Sequence, residues 1–177
     1  MKLCGWVKLN NQKYVDYHNK EWKAVFDDTK LFEMLILEGA QTGLSWETIL
    51  AKRESFRKAF FSYDLEKIIN IDENYFQELL ENPIVRNKLK IKSVIQNAKV
   101  FQKIQKEFSF SNYIWSWTDK VINNDLVDYR DAPTKNELSE KISSDLKKRG
   151  MSFVPTAIYS YLQAIVVNDH ENDCDFK

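Results

Sequence analysis

The stretch from Asn87 to Lys106 constrains the fold most tightly. Apolar residues fall at Leu89, Ile91, Val94, Ile95, Ala98, Phe101 and Ile104, the spacing of a long helix with one buried face. Other segments repeat the pattern. Tyr14–Trp22 places Tyr14, Tyr17 and His18 on one helical face. Asp27, Asp28 and Thr29 offer caps for a helix over about 30–40, and Ser45 for one over about 46–60. Asp64 opens a short turn, and Asp72 opens a helix that Pro83 breaks. Ser111 caps a short aromatic segment, and residues 119–133 form the best loop candidate. Thr134 with Glu137 makes a capping box for a helix that stops at Gly150, and Pro155 suits the first position of a last helix over about 156–167. With only 4 Gly and 3 Pro, no repeat and no convincing strand pair, the chain is expected to be all-α.

Its 177 residues suit one domain with a sizeable core, residues 1–177. Lys and Arg (26) balance Asp and Glu (26), so a nucleic-acid surface must be a local patch. No apolar stretch reaches membrane-spanning length, and the amino-terminal residues hold no apolar leader core. The expectation is a cytoplasmic protein with no membrane association, and nothing suggests an oligomer, so a monomer is expected. Two cysteines argue against a secreted disulfide scaffold.

Chemistry concentrates between Leu35 and Trp46, LILEGAQTGLSW. An apolar helix carries one carboxylate, Glu38; Gly39, Gly43, Leu44, Ser45 and Trp46 follow. A carboxylate near an aromatic suits a flat, electron-poor ring: one accepts ring N–H groups, the other attracts positive charge. The plainer alternative puts Glu38 on a solvated face and Trp46 in the core.

Two further constellations stand out. Cys4 and His18 lie near one end, His170 and Cys174 near the other, a set suited to one tetrahedral structural zinc that would clip the termini. Two buried thiols, or a Cys4–Cys174 disulfide, are the alternatives. From Pro83 to Lys106 there are seven basic residues, including Arg86, Lys88 and Lys90, and no acidic one. They follow a helix-to-helix turn, a place for phosphate, although an ordinary solvated lysine face has the same composition.

Taken together, CGWV, Tyr14-x-x-Tyr17-His18, KLFEMLILEGAQTGLSW, IVRNKLKIKSVIQNAK, LKKRG and NDH-x-x-x-Cys resemble the 3-methyladenine DNA glycosylase I family over essentially the whole chain. The resemblance implies a helix-hairpin-helix glycosylase-like helical bundle, with the hairpin region at about 72–106 and a zinc clip from residues 1–18 and 168–177. It implies a monofunctional enzyme of base excision repair that flips 3-methyladenine out of alkylated double-stranded DNA and hydrolyses its N-glycosidic bond, releasing the free base. Carried over by motif, Glu38 accepts hydrogen bonds from the adenine edge and is the catalytic-site carboxylate. Trp46 stacks on the ring, and Tyr14, Tyr17 and Trp6 complete the pocket. Leu44 wedges into the duplex where Gly43 lets the backbone approach, and Arg86, Lys88 and Lys90 hold phosphates. Cys4, His18, His170 and Cys174 ligate the zinc.

Aligned on these motifs, the chain is a residue short after Trp22, between Pro83 and Ile84, after Phe108, before Pro155 and between Ile165 and Val166. The hairpin gap bears on DNA affinity. The last would turn His170 and Cys174 by about 100° if it fell within a helix. Two alternatives compete with the enzyme: a zinc-stabilised helical module that binds damaged DNA without excision, and a helical interaction domain whose aromatics are core.

Overall fold

Capping residues divide the chain into the expected helices. The computed structural model describes residues 3–82, 84, 87–118, 121, 122 and 126–165. They form α1 (Gln12–Glu21), α2 (Asp28–Gln41), α3 (Trp46–Ala59), α4 (Leu65–Ile69), α5 (Glu73–Glu81), α6 (Lys88–Glu107), α7 (Phe110–Trp115), α8 (Glu137–Arg149) and α9 (Pro155–Ala164). Single 3-10 turns at Phe61–Tyr63 and Tyr129–Asp131 interrupt the connections. Among the described residues there is no strand beyond isolated bridge positions at Ile122 and Leu126, so the all-α expectation holds. Among the described residues no helix is long and apolar enough to cross a membrane.

Asp27, Ser45 and Asp72 cap as their side chains suggested: Asp27 Oδ1 accepts from Lys30 N at 2.7 Å and Asp72 Oδ1 from Tyr75 N at 2.8 Å. Asn87, read as the first residue of its helix, is instead the cap ahead of it. Two starts differ from expectation. Ser109, not Ser111, caps α7, because the Ser111 N–H is already inside the helix and donates to Asp28 Oδ1 at 2.7 Å. The box on α8 pairs Asn136 with Ser139 rather than Thr134 with Glu137. Asn136 Oδ1 accepts from Ser139 N at 2.9 Å, and Ser139 Oγ accepts from Asn136 N at 3.0 Å. Gly150 ends α8 and Pro155 opens α9, as read from the sequence. α9 ends at Ala164, and the segment holding His170 and Cys174 lies outside the described residues.

Between α5 and α6, Ile84 is buried and its N–H donates to Asn82 Oδ1 at 3.3 Å. Pro83 and Arg86, parts of the expected hairpin, lie outside the described residues.

One apolar cluster draws side chains from every helix. Its centre is α2, where Leu31, Phe32, Met34, Leu35, Ile36 and Leu37 are all buried. A helix apolar on nearly every side must be wrapped by others, and α3, α6, α7 and α9 pack around it. Gly39 makes one of these approaches possible: a Cβ there would lie 2.8 Å from Cε1 of Phe153. The one charge cluster that α2 buries is fully paired. Glu33 accepts from Arg53 Nε at 2.9 Å and from Arg57 at 3.0 Å, while Arg53 also donates to Glu21 at 2.7 Å.

Candidate functional site

The second buried carboxylate of α2 has no such partners. Glu38 is 6% exposed, and its Oε2 is buried with no hydrogen-bond partner among the described residues. Burial alone pushes its carboxyl up to about 8. A buried polar atom left unpaired costs on the order of 1–3 kcal/mol. A fold that keeps one in place is poised for a ligand that supplies the missing bond. The solvated-face alternative for Glu38 is therefore ruled out.

Glu38 borders a cavity of about 480 Å³ whose walls are largely aromatic, including Trp6, Tyr14, Trp22, Trp46 and Tyr129. Three elements bring them there. α1 contributes Tyr14, and the turn ahead of it contributes Trp6, whose ring centroid is 6.0 Å from that of Tyr14 and 4.8 Å from Trp22. Trp46 is the first residue of α3, half-buried, and Ser45 Oγ fixes that end by accepting from Thr48 N at 3.2 Å. Tyr17 does not face the cavity. It is buried behind it, 5.3 Å from the Trp46 ring, so it supports the wall rather than forming it. Its phenol is pushed well above its ordinary pKa, by burial and then by the nearby Glu38 carboxylate.

The far wall was not foreseen. Tyr129 comes from the segment read as a loop, Thr134 is the residue read as a cap just beyond it, and Tyr159, Ser160 and Gln163 come from α9. The only available signals were an aromatic in a polar loop and a run of tyrosines on the last helix. Neither says which cavity it joins. Gln41, one turn beyond Glu38 on α2, also lines the wall, as does Trp22.

Beyond Gln41 the chain turns outward. Gly43 takes φ +79, the left-handed region, with open space where a Cβ would be, and Leu44 is 38% exposed. The expected phosphate groups fare differently from one another. Lys88, Lys92 and Lys99 are exposed on α6. Lys90 is not free for phosphate: its ammonium donates to Thr42 O at 2.6 Å and to Ala40 O at 2.9 Å. At the helix start, Asn87 Oδ1 already accepts from Leu89 N at 3.0 Å and Lys90 N at 3.1 Å, so two of the N–H groups expected to face an anion are taken.

The zinc expectation is corrected. Among the described residues no group of three or more His, Cys, Asp or Glu side chains could hold a metal ion. Cys4 is buried, 3% exposed, against the wall of the cavity. His18 is turned inward on local partners. Its Nδ1 meets Asn19 Oδ1 at 2.9 Å, and its Nε2 lies 3.4 Å from the Cys4 N–H and 3.2 Å from Cys4 Sγ. The other two expected ligands, His170 and Cys174, fall outside the described residues.

Comparison with known proteins gives a consistent answer. The sequence model of one family, methyladenine glycosylase, matches residues 6–177. A DNA-3-methyladenine glycosylase of Haemophilus influenzae is 43% identical, with 98% of this chain and 97% of that protein covered. The crystal structure of a 3-methyladenine DNA glycosylase I superposes with a TM-score of 0.92 at 36% identity, covering 98% of both chains. A Tyr-to-Phe variant of a 3-methyladenine DNA glycosylase I, in complex with 3-methyladenine, gives the same TM-score at 30% identity, covering 98% of this chain and 96% of that one.

Proposed function

The chain belongs to the methyladenine glycosylase family, and on that premise we propose that the cavity beside Glu38 is where it receives 3-methyladenine. The protein is a DNA-3-methyladenine glycosylase, a hydrolase of N-glycosyl bonds. The observation that carries the site assignment is a buried, unpaired carboxylate in an aromatic cavity.

Methylation at N3 fixes a positive charge on the adenine of the lesion. Faces of Trp46, Tyr14 and Trp6 attract that charge, and the Glu38 carboxylate compensates it while accepting N–H groups from the ring edge. Both effects gain strength in a dry site. Neutral adenine lacks the first attraction and gives the carboxylate less to compensate. The cationic base also departs without prior protonation. The bond from N9 to C1′ breaks, its electron pair neutralises the base, and water adds at C1′ and gives up a proton. No general acid is required, which fits a long helix α6 that carries no carboxylate before Glu107. Glu38 thus acts first as a binding and electrostatic group.

On the DNA side, Leu44 is read as the wedge that fills the gap left by the extruded base. Lys88 and the other exposed lysines of α6 are read as phosphate contacts. The whole chain is read as one domain acting as a monomer on double-stranded DNA in the cytoplasm.

Base release tests the reading. Wild-type protein and Glu38→Gln are incubated with methylated duplex DNA, and free bases are separated by chromatography. Release of 3-methyladenine by the wild type, strongly reduced in the variant, is expected. Unchanged release by Glu38→Gln would remove Glu38 from the site.

A further inference from the structure

Four consecutive backbone carbonyls end α2, and each has a donor. Gly39 O accepts from Thr42 Oγ1 at 3.2 Å, and Gln41 O accepts from Leu44 N at 2.6 Å. Both donors belong to the loop itself. The other two carbonyls, Ala40 O and Thr42 O, accept from a single ammonium that comes from another helix, that of Lys90. The carbonyl end of a helix attracts cations, so the position favours lysine. The side chain is half-buried, and burial lowers its pKa from the ordinary lysine value. Its two bonds reach carbonyls on either side of Gln41. They tie the last turn of α2, which carries Glu38 and Gln41, to the residue that precedes Gly43 and Leu44.

We propose that Lys90 is a positioning residue, which fixes the Leu44 loop to the first turn of α6 so that the wedge and the DNA-facing end of that helix move as one body. The proposal rests on the reading of the cavity as the base site and of Leu44 as the wedge. A wedge pressed into a base stack is pushed back by the duplex. Gly43 gives its loop freedom to yield, and Lys90 takes that freedom away. The side chain acts through Leu44, not by touching DNA.

Lys90→Met keeps the aliphatic stem and removes the charge and the donors. Three quantities are compared with wild type: kcat/KM on methylated duplex, affinity for free 3-methyladenine, and the salt dependence of duplex binding. Excision from duplex is expected to fall at least tenfold, with free-base affinity within about twofold. The slope of log affinity against log salt is expected to stay unchanged, whereas a lost phosphate contact lowers it by about 0.9. Lys90→Arg, which can still donate to both carbonyls, should recover part of the loss. In a Leu44→Ala background, Lys90→Met should cost little more, because both changes remove one function.

A reduced salt slope would make Lys90 a phosphate contact and overturn the proposal. So would additive losses in the double variant, or equal loss of free-base affinity and excision, which would mean a general collapse of the end of α2. Wild-type protein that releases base while Lys90→Met matches it overturns this role alone. Wild-type protein that releases none overturns the enzymatic reading, and this role with it.

Discussion

Glu33 and Glu38 are buried on the same helix, and only Glu33 is paired. Burial opposes the charge on both. At Glu33 the bonds from Arg53 and the charge of Lys30 outweigh it and bring the carboxyl down to about 2. At Glu38 nothing offsets it, and the carboxyl stands at about 8. One carboxylate holds the fold together, and the other is kept short of a partner.

That contrast predicts the pH dependence of excision. The lesion's charge is fixed by its methyl group, so Glu38 alone sets the slope. At neutral pH most of the empty protein carries a protonated Glu38, which must lose its proton to meet a cationic base. kcat/KM on methylated duplex should rise with pH, pass half of its plateau near pH 8 and level off above it. Glu38→Gln should be low and flat. A wild-type profile level between pH 6 and pH 8 would count against this role.

The same group predicts stability in the opposite sense. Its folded pKa, about 8, lies above the ordinary carboxylate value of 4.5. The folded state therefore holds a proton that the unfolded chain has lost. The stability this gives is fully present below pH 4.5 and is lost as pH rises towards 8, at up to about 1.4 kcal/mol per pH unit. Glu38→Gln should abolish that slope, so the variant should gain on wild type from pH 5 to pH 8. Urea melts across the range measure the difference.

Arg53→Met should be costly. It leaves Glu33 buried with only Lys30 and Arg57 to answer its charge, and Glu21 without its paired donors. Removing one member of a buried pair costs about 3–5 kcal/mol, and the remaining cations place this case near the lower figure. Chemical denaturation reads it directly.

Leu44→Ala should separate two activities. Excision from duplex should drop at least tenfold, while affinity for free 3-methyladenine stays within about twofold, because Leu44 is outside the cavity walls. Equal loss of both would place Leu44 in the core of the site rather than at the duplex.

Most of the fold was legible because capping is local chemistry. Asp27, Ser45 and Asp72 each bond the N–H three residues ahead, so sequence alone locates them. The box on α8 was misplaced because Thr134 and Asn136 both resemble caps, and its partner is a serine rather than a glutamate. On the site, the short segment 35–46 was readable because Glu38 stands out among apolar neighbours. The far wall was not, since Tyr129 and Tyr159 meet Glu38 only through the packing of distant elements. Lys90 shows the same limit in reverse. Counting charges gave seven equivalent cations, but Lys90, in the first turn of α6, reaches two carbonyls instead of solvent.

The contact between Gly39 and Phe153 has a consequence for how this protein can change. Any side chain at position 39 must displace an aromatic ring or roll α2 about its axis. Position 38 is the next residue on that helix, so a roll re-aims the carboxylate. Drift at 39 is thereby coupled to substrate choice. A saturation library at this position should return few active members, and those few are where altered base preference should be sought, most readily in the company of a smaller residue at 153.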